Sequence, residues 1–483
     1  MRTQEFENIL KMLDSEDETS ITLGFTLLKN YKQEFEYHYK CSFVEGRVLL
    51  GFLIKSDVII NDGKWLYSNF FDKVVKLDIH CYYTKIEFPQ ELAILKNLQN
   101  LSIKICSKTP LRKIPEFVWK LKKLEELDLS EMNFKKISEK IGQLTNLKKL
   151  KLDSNRITEL PQEIKYLKRL EYLSLQDNRG LHIPIEIGYL QNLKYLNLRG
   201  IFTEQLPIEM WNLKKLEDLN LSCNRGFYIP SEIGQLKNLK SLDLSGMGKL
   251  RLPKTIKHLT KLKFLELESS RIGDSIQEIL TLPKLELLNL RGAGLYELSK
   301  EINQLKKLKV LNLSYNGLLD IPKELGDIKT LRDLYLEGNY LKYLPNNLFR
   351  LKNLKDLKLS SNMLTSIPEG FLKFKELQRL ALSRNLIEKI PFFIKKIPDL
   401  QLLEIYANYP LIESLISETD KQTFTFFSDW KYQYDDSSSS KVLCIENTED
   451  SKLLMKLQEW KEDAKEKVKW VEKRKKEYAK PTV

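Results

Sequence analysis

The sequence predicts an α/β solenoid, a stack of short coils that each contain a strand, a turn and a compact return segment. Three observations carry this prediction. The hexad Leu124-Glu125-Glu126-Leu127-Asp128-Leu129 recurs with its first leucine at 147, 170, 193, 216, 239, 262, 285, 308, 331, 354, 377 and 400, twelve consecutive steps of 23 residues. Self-similarity at one fixed short period is the signature of a repeat array. The Leu-x-Leu alternation in each copy is the period-two pattern of a half-buried strand. In most copies a Leu-Pro or Ile-Pro pair follows, as at Leu160-Pro161, and proline stops the strand and pre-sets the next turn.

The elements follow in chain order. Residues 1–73 carry no repeat and are expected to form a helical N-terminal cap, since an array must seal its ends. Phe6, Ile9, Leu10 and Leu13 are spaced as the apolar stripe of one helix. Ser15 and Glu18 form a capping-box pattern that opens a second helix through Ile21, Phe25 and Leu28. Residues 74–412 are the array. Two looser copies at Val74 and Leu98 precede the regular ones, for fifteen in all. In the Leu147 copy, Leu150 and Leu152 point inward from the strand, and Ile164 and Leu167 do so from a short helical or 3₁₀ return. Every coil repeats this inward set, so neighbours stack into one core.

The ninth position is asparagine in eight copies: Asn155, Asn178, Asn224, Asn316, Asn339, Asn362, Asn385 and Asn408. A buried amide both donates and accepts. It is expected to satisfy backbone groups of adjacent coils that no strand or helix serves, a structural role. Residues 413–483 are expected to form an aromatic-rich cap around Trp430, a linker at Ser437–Ser440 and a C-terminal helix. That helix has an apolar stripe through Leu453, Leu457, Trp460, Ala464, Val468 and Val471.

Bulk properties narrow the function. The chain has 483 residues, with 79 Lys+Arg against 66 Asp+Glu, a net charge of +13. The charges are interleaved, which describes a solvated surface. Five cysteines are scattered, with no Cys-x-x-Cys and no clustered pairs, and this points to the reducing cytoplasm. The N-terminus lacks a secretory pattern, and the apolar run from Val48 to Ile54 is too short to span a membrane. The four histidines are dispersed, and no phosphate-binding loop or nucleophile elbow is present. Cys444 lies in an apolar, strand-like context without a nearby histidine. No enzyme activity, metal or cofactor is expected.

The full unit reads L-x-x-L-x-L-x-x-N-x-[LI]-x-x-[LI]-P-x-x-[IL]-x-x-L-x-x across roughly residues 74–410. It resembles the leucine-rich-repeat family, in particular the 23-residue group of bacterial proteins, plant intracellular proteins and the scaffold of the Ras pathway. The resemblance implies a horseshoe whose strands form a concave parallel β-sheet. It also implies a non-enzymatic scaffold or adaptor that binds a protein partner on that face, here expected as a cytoplasmic monomer. Two other functions compete: a secreted bacterial effector that engages host proteins, and a binder of nucleic acid or anionic surfaces.

The outward strand positions are the third, fifth and seventh of each copy. The third-position column runs Tyr172, Tyr195, Asp218, Ser241, Phe264, Leu287, Val310 and Asp333, with three successive apolar residues where polar ones belong. An apolar run flanked by charge is how a contact surface looks. The partner-binding candidates are therefore Tyr172, Tyr195, Arg199, Asp243, Phe264, Glu266, Glu268, Leu287, Val310 and Tyr335. The same stretch loses the ninth-position asparagine at Ile201, Met247, Ser270 and Ala293, and the proline at Ser275-Ile276 and Leu298-Ser299, so coil-to-coil bonding should differ there. A lysine ridge runs through Lys122-Lys123, Lys168-Arg169, Lys214-Lys215 and Lys306-Lys307. It is expected to lack interleaved aromatics, which argues against nucleic acid as a partner.

Overall fold

The computed structural model describes residues 4–13, 18–31, 33, 35, 57–60, 74–81, 88–105, 113–203, 205–405, 408 and 442–444. They divide into two compact units, residues 1–227 and 228–483.

The first unit opens with helices α1 (Gln4–Leu13) and α2 (Glu18–Leu28). α1 buries Phe6, Ile9, Leu10 and Leu13, the stripe that the sequence predicts. Ser15 of the expected capping box lies outside the described residues. The cap is not helical throughout, contrary to expectation. Asp57–Ile60 is a strand, antiparallel to Lys76–Cys81, with Asp57 opposite His80 and Ile60 opposite Leu77. The physical reason is the open edge of the first repeat strand, which needs backbone partners that the β-branched run Val58-Ile59-Ile60 supplies. Lys76–Cys81 begins a run of seven parallel repeat strands, followed by Asn100–Ile105, Glu126–Asp128, Lys149–Lys151, Tyr172–Ser174, Tyr195–Asn197 and Asp218–Asn220.

The second unit has eight repeat strands: Ser241–Asp243, Phe264–Glu266, Leu287–Asn289, Val310–Asn312, Asp333–Tyr335, Asp356–Lys358, Arg379–Ala381 and Leu402–Glu404. The strand Val442–Cys444 pairs in parallel with the last of them, so Cys444 does sit on a strand. The aromatic segment, the serine linker and the C-terminal helix of the sequence prediction lie outside the described residues.

Each coil closes in the predicted way. Leu150, Leu152, Ile164 and Leu167 are fully buried, as are their equivalents along the array. The return is a five-residue 3₁₀ segment entered through proline, as in Gln162–Tyr166 after Pro161. Where serine replaces proline, its hydroxyl takes over the end: Ser138 accepts from the Lys140 N–H, and Ser299 from that of Glu301. At Ser275-Ile276 the return is reshaped into a 3₁₀ turn, Gly273–Ser275, that runs into one α-turn, Ile276–Ile279.

The asparagines form the expected ladder. Asn155 Oδ1 accepts the N–H groups of Met132 and Phe134 at 3.1 and 3.0 Å. Its Nδ2 donates to Leu129 O of the preceding coil and Leu152 O of its own, both at 2.9 Å. One side chain thus satisfies backbone groups of two coils. Where asparagine is lost, Ser270 makes a shortened rung. Its hydroxyl accepts from Met247 N at 2.9 Å and donates to Leu244 O at 2.7 Å. A two-residue parallel bridge of Gly248–Lys249 with Ser270–Arg271 accompanies it.

One regularity escaped the sequence reading. The eighth position has a positive φ, between 52° and 70°, in all twelve copies from Glu131 to Arg384. This left-handed residue turns the chain from the strand into the asparagine, at a cost that only glycine avoids. Glycine fills it in alternate coils, at Gly200, Gly246, Gly292 and Gly338. Other features share this two-coil rhythm. Gly142, Gly188 and Gly234 recur in alternate returns, and a Cβ on Gly188 would lie 2.8 Å from the Glu209 carbonyl oxygen. Asn146 and Asn192 alternate with basic residues that bond back to them, Arg169 at 2.9 Å and Lys215 at 2.7 Å. At the entry to the strands, Glu125 pairs with Lys148 at 2.8 Å and Glu171 with Lys194 at 2.7 Å.

Candidate partner-binding faces

The ten predicted site residues fall in both units. In the first, the Tyr172 and Tyr195 rings stack with centroids 4.1 Å apart and planes within 2°. Lys149 Nζ lies 5.3 Å from the Tyr172 ring centre, which extends the column by one strand. Burial pushes the Tyr195 hydroxyl well above the usual phenol range. Arg199 donates from Nη1 to Ser222 Oγ at 3.3 Å. Nearby, burial raises the Asp153 carboxyl although Ser174 and the Gln176 N–H both donate to it.

The remaining seven lie in the second unit. Phe264, Leu287 and Val310 are direct register partners on successive strands. Phe264 is 42% exposed, while Leu287 and Val310 are half-buried. Asp243 and Glu266 are paired in register on the fifth-position column beside them. Burial raises the Glu266 carboxyl against an opposing hydrogen bond from Asn289. Glu268 forms an ion pair with Arg291 at 2.8 Å, and the Arg291 guanidinium lies 4.2 Å from the centre of the Tyr315 ring.

Tyr335 belongs to a different group. Lys358 Nζ sits 5.1 Å over its ring, and burial pushes its hydroxyl up to about 12. Around it the third-position column continues through Asp333, Asp356 and Arg379, none of them in the predicted set, although Asp333 ends the column as read from the sequence. Asp356 stands at an outward position yet is only 3% exposed. Its Oδ2 meets Arg379 Nε at 3.1 Å, and its Oδ1 is closed off with no hydrogen-bond partner among the described residues. Burial lifts the carboxyls of Asp333, Asp356 and Glu404 above the ordinary carboxylate range. Following the same column two copies beyond Asp333 would have found Asp356 and Arg379. The burial has no signal in the sequence.

The lysine ridge corrects a second expectation. An aromatic does accompany it at Lys168, whose Nζ lies 4.9 Å from the Tyr189 ring centre; in the return just before, Lys165 Nζ lies 5.4 Å from that of Tyr166. These tyrosines come from the end of the return segment, just before the ridge, and so escape a search of the lysine pairs themselves. Several ridge cations are engaged between coils, as with Lys123 on Asn97 and Lys215 on Asn192, both at 2.7 Å. Among the described residues, no three or more His, Cys, Asp or Glu side chains are placed to hold a metal ion. No helix there is long and apolar enough to cross a membrane.

Coils with one inward leucine set, an asparagine ladder and an outward parallel strand face define a repeat solenoid, a class whose extended faces serve as contact surfaces. Leucine-rich-repeat region models match residues 127–228 and 210–321, and a leucine-rich-repeat model matches residues 329–387. The chain belongs to the leucine-rich-repeat family, whose fold generally mediates protein–protein interaction. Among solved structures it is similar to a Leptospira interrogans leucine-rich-repeat protein, at 36% identity and a TM-score of 0.63 over 69% of this chain and 91% of that one. A Listeria monocytogenes internalin is similar in fold alone, at 22% identity and a TM-score of 0.55 over 64% of this chain and 87% of that one. A TDR receptor is 26% identical with a TM-score of 0.53 over 71% of this chain and 65% of that one. No curated protein matches the chain.

Proposed function

We propose that the chain is a non-enzymatic interaction scaffold or adaptor that grips a protein partner with the outward strand face of its second unit, centred on Phe264, Leu287 and Val310. The observation that carries this proposal is the register of those three residues. Leu265, Leu288 and Leu311 beside them already fill the core, at 0% exposure, so the fold has no use for a second apolar row. Such a row, framed by Glu266, Glu268 and Arg291, has the apolar centre and polar rim of a protein interface. The cytoplasm is the compartment in this proposal, supported by the scattered cysteines and the free thiol of Cys223.

The test starts by identifying the captured partner with the full chain and mass spectrometry. Changing Phe264 and Leu287 together to Ser is then expected to leave circular dichroism and thermal unfolding unchanged. The same change should weaken capture at least about tenfold, or about 1.4 kcal/mol. A folded double variant that captures the partner as well as the parent does would place the interface elsewhere.

A further inference from the structure

Next to the apolar row lies a group of charges that the proposed function leaves unused. From Val310 the third-position column passes without a break in register to Asp333, Asp356 and Arg379. Glu337, Lys358 and Glu404 complete the group from the neighbouring outward positions. On the outward positions four carboxylates stand against Lys358 and Arg379, with Arg332 and Lys355 also acting on Asp333 from the adjoining positions.

Two features mark this patch as incomplete by itself. The first is Asp356, buried to 3% exposure with only Oδ2 engaged. Its Oδ1 has neither solvent nor a hydrogen-bond donor among the described residues, and a buried acceptor left open is costly unless an N–H group arrives to fill it. The second is the Tyr335 ring on the same face, already approached by the Lys358 ammonium at 5.1 Å, the geometry in which an aromatic face holds a cation. The acids are not grouped closely enough for a metal ion. The cation that fits is a larger one that carries several N–H donors.

We infer that the second unit takes an Arg or Lys side chain of its protein partner at Asp333, Asp356 and Glu404, alongside an apolar residue seated on Leu287. This rests on the contact-surface reading of Phe264, Leu287 and Val310. The Leu287 strand lies two and a half strand spacings from the middle of the Asp333 and Asp356 pair, or about 12 Å at about 4.8 Å each. An extended partner segment covers that span in three to four residues at about 3.3 Å each. In the free chain Arg379, whose side chain is 61% exposed, occupies Asp356 and stands in for the partner's cation.

The probe is a random dodecapeptide library displayed on phage and panned over the immobilised full chain at physiological salt. The parent should enrich peptides with an apolar residue and an Arg or Lys three or four positions away. The double variant Asp356→Asn with Glu404→Gln should lose the basic enrichment about tenfold and keep the apolar one. Arg379→Ala should strengthen the basic enrichment, because it removes the internal competitor; a purely structural ion pair predicts no such gain. Parent-selected peptides no richer in Arg and Lys than the input library would overturn the inference, as would an undiminished basic enrichment on the double variant. Peptides that need Phe264 and Leu287 but ignore the acids would leave the contact surface standing and remove the cation site. Peptides that need the acids and ignore Phe264 and Leu287 would do the reverse.

Discussion

Replacing Asn339 with Ala removes one rung of the ladder without touching the outward strand face. Asn339 is 3% exposed. Its Oδ1 accepts the Leu318 N–H at 3.1 Å, and its Nδ2 donates to Leu313 O and Leu336 O, both at 3.0 Å. Alanine removes these three bonds: it strands the Leu318 amide in a dry interior, while Leu313 O and Leu336 O each keep one donor, Asn316 Nδ2 at 2.9 Å and Asn362 Nδ2 at 2.8 Å. At about 1 kcal/mol net for each lost bond, the variant should be roughly 3 kcal/mol less stable. The urea midpoint should fall accordingly. Hydrogen exchange gives a sharper measurement, because protection of the Leu318 amide should drop on the order of a hundredfold. Asn339→Ser should recover part of the loss, since the Ser270 hydroxyl makes two such bonds from the same position in its own coil. An unchanged midpoint together with unchanged exchange at Leu318 in the alanine variant would refute the ladder. Serine no better than alanine would refute the count of bonds.

Two further outcomes are expected. Glu286 accepts from Lys263 at 2.9 Å and Lys309 at 2.5 Å, and these hydrogen bonds hold its carboxyl down to about 2. A depressed folded-state pKa contributes stability that is complete above the ordinary glutamate range and is lost as pH falls towards 2. Glu286→Gln should therefore be less stable than the parent at pH 7 and converge with it in acid, and a gap in urea midpoints that stays constant with pH would contradict this. Gly326 leaves no room for a side chain, because a Cβ there would lie 1.9 Å from the Asn347 carbonyl oxygen. Gly326→Ala should cost about 1–3 kcal/mol through forced separation of two returns, visible as a lower Tm, and an unchanged Tm would show that the returns part freely.

Much of this was legible because the array repeats its physics. A leucine that recurs every 23 residues can face only one way, so the strands, the core set and the asparagine ladder all follow from one register. The α1 stripe was readable for the same reason. Asp57–Ile60 was not, because four residues without alternation carry no period, and its partner strand is what makes it a strand. The left-handed eighth position was hidden because Glu131, Cys223, Tyr315 and Arg384 share no side-chain property; the turn is imposed by the backbone on either side. The apolar row was visible as a column of letters. Asp356 was not, since its position reads as outward and only the side chains of neighbouring strands decide that it is buried.

The two-coil rhythm constrains how such a chain can change length. Deleting residues 147–169, a single coil, would set Glu125 beside Glu171 and leave Asn146 without the Arg169 that bonds to it. Deleting residues 147–192 would instead bring Lys194 to Glu125 and Lys215 to Asn146, so that the new junction repeats contacts the chain already makes. In this region a change of length by two coils therefore keeps these contacts, whereas a change by one coil breaks them.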